Sequence, residues 1–417
     1  EHYGKDGRKL LELLVTVHRA AKESSLVAGL LESGELFHPL AWSAKEAHTF
    51  LREIPLYEQS GILCRIPNWW KRGASSLHVR VTMGNAAPST IGMDALLSFD
   101  VGLSLEDAAM SPDEVRRLIE SAEGLVLIKN RWVAVDPEKL KQTLEVYEKA
   151  RGLAKREGIS FRDALRLQLN PQAMFGAEVA EESISLTTGQ WLDSVMTRMR
   201  QPETTEPVTL GPAFKAELRP YQERGVAWLS FLDSLRFGMC LADDMGLGKT
   251  VQVLALLHSR KSSGEKGASL LVVPASLLSN WQSEILRFAP ELQFFIAHPS
   301  GQDGGSVEPR GGAELDRLDL VITTYSVVQR QEWLHAYEWS HVILDEAQAI
   351  KNPGTKQAKA VKELKAGNRI AMTGTPVENR LSDLWSLFDF LNPGLLGSPR
   401  EFAAFAKGLV KNHEGYG

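Results

Sequence analysis

Arg236-Phe-Gly-Met-Cys-Leu-Ala242 runs straight into Asp243-Asp-Met-Gly-Leu-Gly-Lys-Thr250. The first part is a short apolar run of strand type and the second a glycine-bearing turn. Val251, Leu254 and Leu257 then recur at helical spacing. Strand, tight loop and helix start in this order form a phosphate cradle. Gly246 and Gly248 let the backbone approach closely, and the loop N–H groups and the helix N-terminus face the anion. Lys249 is placed to neutralise β- and γ-oxygens, and the Thr250 hydroxyl to hold Mg²⁺. The general pattern has glycine where Asp243 stands, so by itself the match is partial and a merely glycine-rich turn stays open.

A second segment answers the first. Ser340-His-Val-Ile-Leu344 reads as a buried strand that ends in Asp345-Glu346-Ala347-Gln348. Open α/β sheets bind ligands at the carboxyl ends of their strands. Two adjacent carboxylates there divide the labour, with Asp345 turned toward Mg²⁺ and Glu346 toward an attacking water as general base. The plainer alternative is an acidic helix start, favoured by the helix dipole.

Together these segments resemble the Swi/Snf-type ATPases of helicase superfamily two, and the resemblance runs from Leu218 to Gly397 over several ordered motifs. Leu218-Arg-Pro-Tyr-Gln-Glu-Arg-Gly-Val-Ala-Trp-Leu229 is similar to the adenine-recognising Q-motif region, which implies nucleotide contacts for Arg219 and Gln222. Asp243–Thr250 resembles motif I in its family form, where aspartate is usual at the first position. That implies ATP contacts for Asp244, Met245, Gly246, Leu247, Gly248, Lys249 and Thr250. Leu271-Val-Val-Pro-Ala-Ser-Leu-Leu-Ser-Asn-Trp-Gln-Ser-Glu284 resembles motif Ia and Asp319-Leu-Val-Ile-Thr-Thr-Tyr325 motif Ib. Both are associated in the family with the DNA backbone, which implies contacts from Pro274, Ser276, Asn280, Thr323 and Thr324. Asp345–Gln348, the DEAQ box, with Lys351 after it, resembles motif II, with Gln348 counted among the catalytic residues and Lys351 among the DNA contacts. Ala371-Met-Thr373-Gly-Thr375-Pro376 and its Leu384-Trp-Ser-Leu-Phe sequel resemble motif III, where Thr373, Gly374 and Thr375 couple nucleotide state to the DNA track.

The implied fold is a doubly wound, mostly parallel α/β sheet of RecA-like type over 214–417. A linker at 201–213 and a separate α+β accessory domain over 1–200 precede it. The implied cofactors are ATP and Mg²⁺. The implied partner is double-stranded DNA, with protein–DNA complexes as the substrate that a translocating ATPase remodels without separating strands. A non-catalytic DNA- or protein-binding scaffold and a strand-separating helicase are the alternatives. The family hydrolyses ATP between two such lobes, and no second-lobe motif follows motif III. The chain also starts at Glu1 rather than Met and stops abruptly at Gly417. It therefore reads as a fragment of a longer motor that turns ATP over slowly or not at all alone.

The polar run Arg200-Gln-Pro-Glu-Thr-Thr-Glu-Pro207 sets the domain boundary, because it cannot continue a helix and has nothing to bury. Pro299 to Gly312, with five glycines, reads as a surface loop. Upstream, Ser111-Pro-Asp-Glu114 has the pattern of a capping box, and Val115, Leu118 and Ile119 give its helix an apolar face. Leu125–Ile128 and Arg131–Val135 can pair as a hairpin. Helix then hairpin vaguely resembles a winged helix that reads nucleic acid, but the outline is common in small α+β domains. Asn68-Trp-Trp-Lys-Arg72 suits base stacking or a plain core with solvated cations. The stretch from about His38 to Tyr147 resembles an accessory domain that precedes the ATPase in some bacterial Swi/Snf proteins.

Lys351, Lys356, Lys359, Lys362, Lys365 and Arg369 are spaced mostly by three, a basic stripe if they share a helix. DNA contact and a solvated helix face fit it equally. The net charge of −5 excludes binding of polyanions through bulk positive charge. Two cysteines, Cys64 and Cys240, exclude a disulfide framework and suit a reducing compartment. No apolar run reaches the roughly 18 residues of a membrane span. The expectation is a cytoplasmic, nucleoid-associated protein without a membrane partner.

Overall fold

The computed structural model describes residues 7–66, 77–105, 108–111, 113–115, 124–128, 131–135, 137–154, 158–169, 184–300, 308, 312–375 and 381–414. They group into two compact units. One comprises Glu1–Thr82, Phe99–Gly158 and Asn170–Thr187, and the other Met83–Ser98, Ile159–Leu169 and Thr188–Gly417.

The second unit is built on six strands, labelled in chain order: β1 Met239–Leu241, β2 Ser269–Val273, β3 Phe294–Ile296, β4 Leu320–Thr324, β5 Trp339–Leu344 and β6 Ala366–Met372. Every pairing is parallel, and the order across the sheet is β3-β4-β2-β5-β6-β1. Parallel strands need long crossovers, and each of the five connections carries a helix. This is the expected doubly wound α/β, RecA-like lobe. Strands covered on both faces read as continuous apolar runs rather than alternating ones, and all five residues of β2 and of β4 are buried. Leu270, Val272, Val342, Leu344 and Ala371 form the centre of a core completed by Trp339, Leu387 and Phe390. Full burial of such a side chain contributes roughly 1.5–3 kcal/mol.

Four helices matter for the site: α1 Pro220–Ser234, α2 Lys249–Ser262, α3 Leu278–Phe288 and α4 Lys356–Lys362. The amino ends of the strands are clamped by Asp233 at the end of α1, which accepts from Arg260, His341 and Asn368. This unit also takes in short segments from the first half of the chain. Phe161 packs 4.8 Å from Phe237 between ring centroids, and the Arg198 guanidinium lies 4.2 Å over the Phe231 ring. The helix Gln190–Arg200 stops where the proline-bearing run begins, and Pro202–Thr204 is a single 3₁₀ turn. Most of the glycine-rich stretch expected as a loop, from 301 to 311, lies outside the described residues.

The first unit is α+β. Its helices Ser25–Ser33 and Ala44–Gln59 start on the side-chain caps Ser24 and Ser43, the latter a full capping box with Glu46. Val17, Ala20, Val27 and Tyr57 form one small core, and Leu51, Ile54 and Leu125 another. The hairpin expected from the two β-rich runs is present as an antiparallel pair, Gly124–Ile128 with Arg131–Val135. Ser111 and Glu114 form both bonds of the expected capping box. Leu118, Ile119 and the Trp69-Trp70 pair lie outside the described residues.

The basic stripe does not form on one helix. Helix α4 ends at Lys362, and Arg369 belongs to β6, from where its guanidinium donates to the carbonyls of Lys362, Leu364 and Phe390. Lys362 is bonded to Asp389 at 2.8 Å. Periodicity by three misled here because a turn and a strand start interrupt it. Exposed positions remain at Lys351, Lys356 and Lys359.

Candidate nucleotide and metal site

The strand order places the motifs side by side. The carboxyl ends of β4, β2, β5, β6 and β1 carry in turn Thr324, Pro274, Asp345, Thr373 and the 243–250 loop. Asp345 thus stands mid-row, one strand from Pro274 on one side and one from Thr373 on the other.

The loop has the backbone that its glycines demand. Gly246 and Gly248 have φ of +83° and +82°, a region that disfavours side chains. A Cβ on Gly248 would also lie 2.4 Å from Gln222 Nε2. Gly248 caps α2, so Lys249 and Thr250 open that helix. The Lys249 ammonium donates to the carbonyls of Asp243 at 2.8 Å and Asp244 at 3.2 Å and so folds back on its own loop. Asp243, the departure from the general pattern, has a visible task, because its carboxylate accepts from Gln252 Nε2 at 2.7 Å and latches the loop to α2. Sequence reading passed over Gln252, whose signal is a polar side chain on a helix face that is otherwise buried and apolar.

Gln222 is buried with both ends of its amide engaged. Its Oε1 accepts the Arg219 backbone N–H at 2.9 Å, and its Nε2 donates to the Leu247 carbonyl at 3.0 Å. The Arg219 side chain is exposed. The Q-motif segment therefore braces the loop directly, and Tyr221 adds its hydroxyl to the same Leu247 carbonyl at 2.8 Å. Met245 is 70% exposed, and Gly374 leaves room for it, since a Cβ there would lie 3.2 Å from Met245 Cγ.

Asp345 is buried at the end of β5. Its Oδ1 accepts the Glu346 N–H at 2.9 Å and its Oδ2 the Trp281 indole N–H at 2.8 Å, while its backbone carbonyl accepts the Tyr325 hydroxyl at 2.8 Å. Burial pushes the carboxyl above the ordinary aspartate range, against the pull of the Trp281 and Glu346 donors and the Lys249 charge. Glu346 adopts φ +51° and ψ +53°, a left-handed conformation that is strained for glutamate. Its carboxylate accepts from Gln348 Nε2 at 2.6 Å. Gln348 Oε1 in turn accepts the Thr373 hydroxyl at 3.0 Å, and Thr373 Oγ1 accepts the Thr375 N–H at 3.1 Å. One hydrogen-bonded chain thus joins Glu346 to the 373–375 segment. Pro376 and Glu378 to Arg380 lie outside the described residues.

The donor set suits Mg²⁺. That ion takes hard oxygens, keeps several waters and is held by one or two carboxylates together with phosphate oxygens. Asp345 offers a buried carboxylate with free lone pairs and Thr250 a hydroxyl. Among the described residues no cluster of three or more His, Cys, Asp or Glu could hold a metal without a nucleotide.

The residues expected to meet DNA divide. Ser276 and Asn280 are exposed and Pro274 is half-buried, whereas Thr323 is fully buried with its hydroxyl committed to the Ala297 carbonyl at 2.9 Å. Thr324 is buried as well and shares its hydroxyl with Ser326.

Residues 221–412 match the model of the SNF2-related domain. The lobe is of the Swi/Snf type, within helicase superfamily two. Residues 35–169 match a second family model, described as SNF2 Helicase protein. A Bacillus subtilis protein, YwqA, named as an ATP-dependent helicase/translocase, is 37% identical over 372 residues, 85% of this chain and 39% of its own length. The TATA-binding protein-associated factor MOT1 of Saccharomyces cerevisiae is 39% identical over 227 residues, 51% of this chain and 12% of its own. The solved Sulfolobus solfataricus SWI2/SNF2 ATPase core in complex with dsDNA is 47% identical over 48% of this chain and 41% of that one, with a TM-score of 0.43. The chain thus spans about two fifths of the Bacillus relative and a smaller part of MOT1. Among the described residues, no helix is long and apolar enough to cross a membrane.

Proposed function

We propose that this lobe binds Mg-ATP and works, within a longer protein that supplies a second RecA-like lobe, as a DNA-stimulated ATPase. That motor translocates on double-stranded DNA and remodels protein–DNA complexes. The observation that carries the reading is the row of loops at the carboxyl ends of five neighbouring strands, with Asp345 and Glu346 between the segments assigned to DNA and those assigned to nucleotide. Lys249 exchanges its loop carbonyls for β- and γ-oxygens, Thr250 and Asp345 hold Mg²⁺, and the ion when bound offsets charge on the phosphates. Glu346, oriented by Gln348, takes the proton of the attacking water. Ser276, Asn280 and Lys351 contact the phosphate backbone of the duplex, a sequence-independent interaction that weakens with salt. The names of the Bacillus and yeast relatives agree with a motor acting on DNA-bound factors.

Phosphate release at saturating Mg-ATP, with and without duplex DNA at low salt, tests this. The 417-residue chain should bind ATP yet show little turnover, because an arginine from the partner lobe is worth roughly 10³–10⁵ in rate. In the longer protein, duplex should stimulate turnover, Lys249→Ala should abolish ATP binding, and Glu346→Gln should keep binding and stop hydrolysis. An unchanged rate in Glu346→Gln refutes the general-base assignment.

A further inference from the structure

Trp281 is 1% exposed on α3, and a buried indole N–H needs an acceptor. Among the described residues the other fully buried tryptophan, Trp339 on β5, finds an ordinary one in the Leu334 carbonyl at 2.8 Å. Trp281 reaches Asp345 Oδ2 instead, at the same distance. With the Glu346 N–H on Oδ1, each carboxylate oxygen holds one N–H donor, so the carboxylate plane cannot rotate without breaking a bond. Tyr325, the first residue after β4, anchors the carbonyl of the peptide that leads into Glu346 and its left-handed backbone. Two donors from outside motif II thus fix the carboxylate and the peptide at the centre of the site. Trp281 is one residue from Asn280, and Tyr325 is one residue from Thr324.

We infer that Trp281 and Tyr325 are positioning residues that link helix α3, which carries the exposed Asn280, and the turn after β4 to the metal carboxylate, so that engagement of a duplex changes the affinity for metal-nucleotide. The inference rests on the DNA-stimulated reading above. A shift of α3 or of the turn at 324–326 moves a donor on Asp345 directly, with no intermediate side chain. Loss of such a partner behind a metal ligand typically weakens metal affinity or activity 10- to 100-fold.

The test uses the longer protein as wild type, Trp281→Phe and Tyr325→Phe, the second of which removes a single buried oxygen. Mn²⁺–ADP binding is followed by electron paramagnetic resonance with and without a blunt DNA duplex, and duplex binding is measured with and without Mn²⁺–ADP. Linkage requires the two coupling factors in wild type to be equal. Both variants should bind Mn²⁺–ADP about 10-fold more weakly without DNA, and their coupling factor should fall toward one. Duplex affinity without nucleotide should stay close to wild type; Trp281→Phe should melt lower, since it leaves a cavity and takes a donor from Asp345, so binding is compared at a temperature where each variant is folded. Wild-type Mn²⁺–ADP affinity and coupling in either folded variant overturns the inference. If duplex fails to stimulate wild type at all, the DNA reading fails, and unchanged Mn²⁺–ADP affinity in the variants would then refute the positioning role separately.

Discussion

Asp233→Ala removes the acceptor at which three elements meet. The carboxylate side chain is 11% exposed and takes hydrogen bonds from Arg260, from His341 Nε2 at 2.8 Å and from Asn368 Nδ2 at 2.8 Å. Breaking a buried pair by deleting one partner costs about 3–5 kcal/mol. Arg260 keeps Glu265 at 2.7 Å and Ser340 at 2.9 Å, so its charge is not stranded and the lower end applies, about 3 kcal/mol. His341, 1% exposed, and Asn368, 6% exposed, each lose a partner. Hydrogen exchange of the segments 339–344 and 366–372 reads this locally. At 1.4 kcal/mol per factor of ten, exchange through openings that expose the clamp should quicken about 100-fold. The pH dependence gives a second check. Burial by itself would raise the Asp233 carboxyl, but the His341, Arg260 and Asn368 donors outweigh it and hold the group well below the ordinary carboxylate range. A depressed folded-state pKa contributes stability that is complete above the unfolded value, near 4, and is lost as pH falls through the folded value. The gap between wild type and variant should therefore stay constant around neutrality and close only in strong acid. A change in exchange below about 2-fold at neutral pH, or a gap that closes above pH 5, refutes the reasoning.

Gln348→Ala in the longer protein should lower the DNA-stimulated kcat about 10- to 100-fold with little change in KM for ATP, because Glu346 loses the donor that orients it. A kcat within a factor of two of wild type would show that Gln348 is not needed there. Gly238→Ala should destabilise the lobe by about 1–3 kcal/mol in urea titration. Its Cβ would lie 2.2 Å from the Leu391 carbonyl oxygen, which is backbone and cannot step aside. Gly29→Ala is the opposite case, mid-helix with nothing within 4 Å of the new carbon, and should stabilise the first unit by about 0.5–1 kcal/mol in the same assay.

Much of the lobe was legible because its signals are local. The apolar run of β2 stops at Pro274 and that of β5 at Asp345, and both mark the carboxyl edge of the sheet. Gly246 and Gly248 announce a loop that only residues without a side chain can follow. The hairpin at Gly124–Ile128 and Arg131–Val135 and the capping bonds of Ser111 and Glu114 also follow from neighbouring residues. Where the reading went astray, spacing was taken for a shared surface. The lysines from 351 to 365 and Arg369 sit on a turn, a short helix and a strand, and Arg369 is occupied with carbonyls. Thr323 was chosen for its place in a motif, yet β4 is buried on both faces and its hydroxyl is committed to the Ala297 carbonyl.

The sequence by itself determined the groups available: a glycine-bearing loop with a lysine, a hydroxyl and two adjacent carboxylates in an α/β order. These depend on residue type and on spacing within one strand–loop–helix unit, which the chain dictates locally. Tertiary structure alone decided which of these groups are neighbours. Motifs that follow one another in the chain as I, Ia, Ib, II and III stand across the sheet as Ib, Ia, II, III and I. That permutation comes from parallel crossovers that pass over intervening strands, and no local pattern encodes it. It is the reason Trp281, 64 residues away in the chain, is a donor on Asp345. The packing of α1 against the loop that follows β1 likewise lets Gln222 brace a loop that begins 21 residues later.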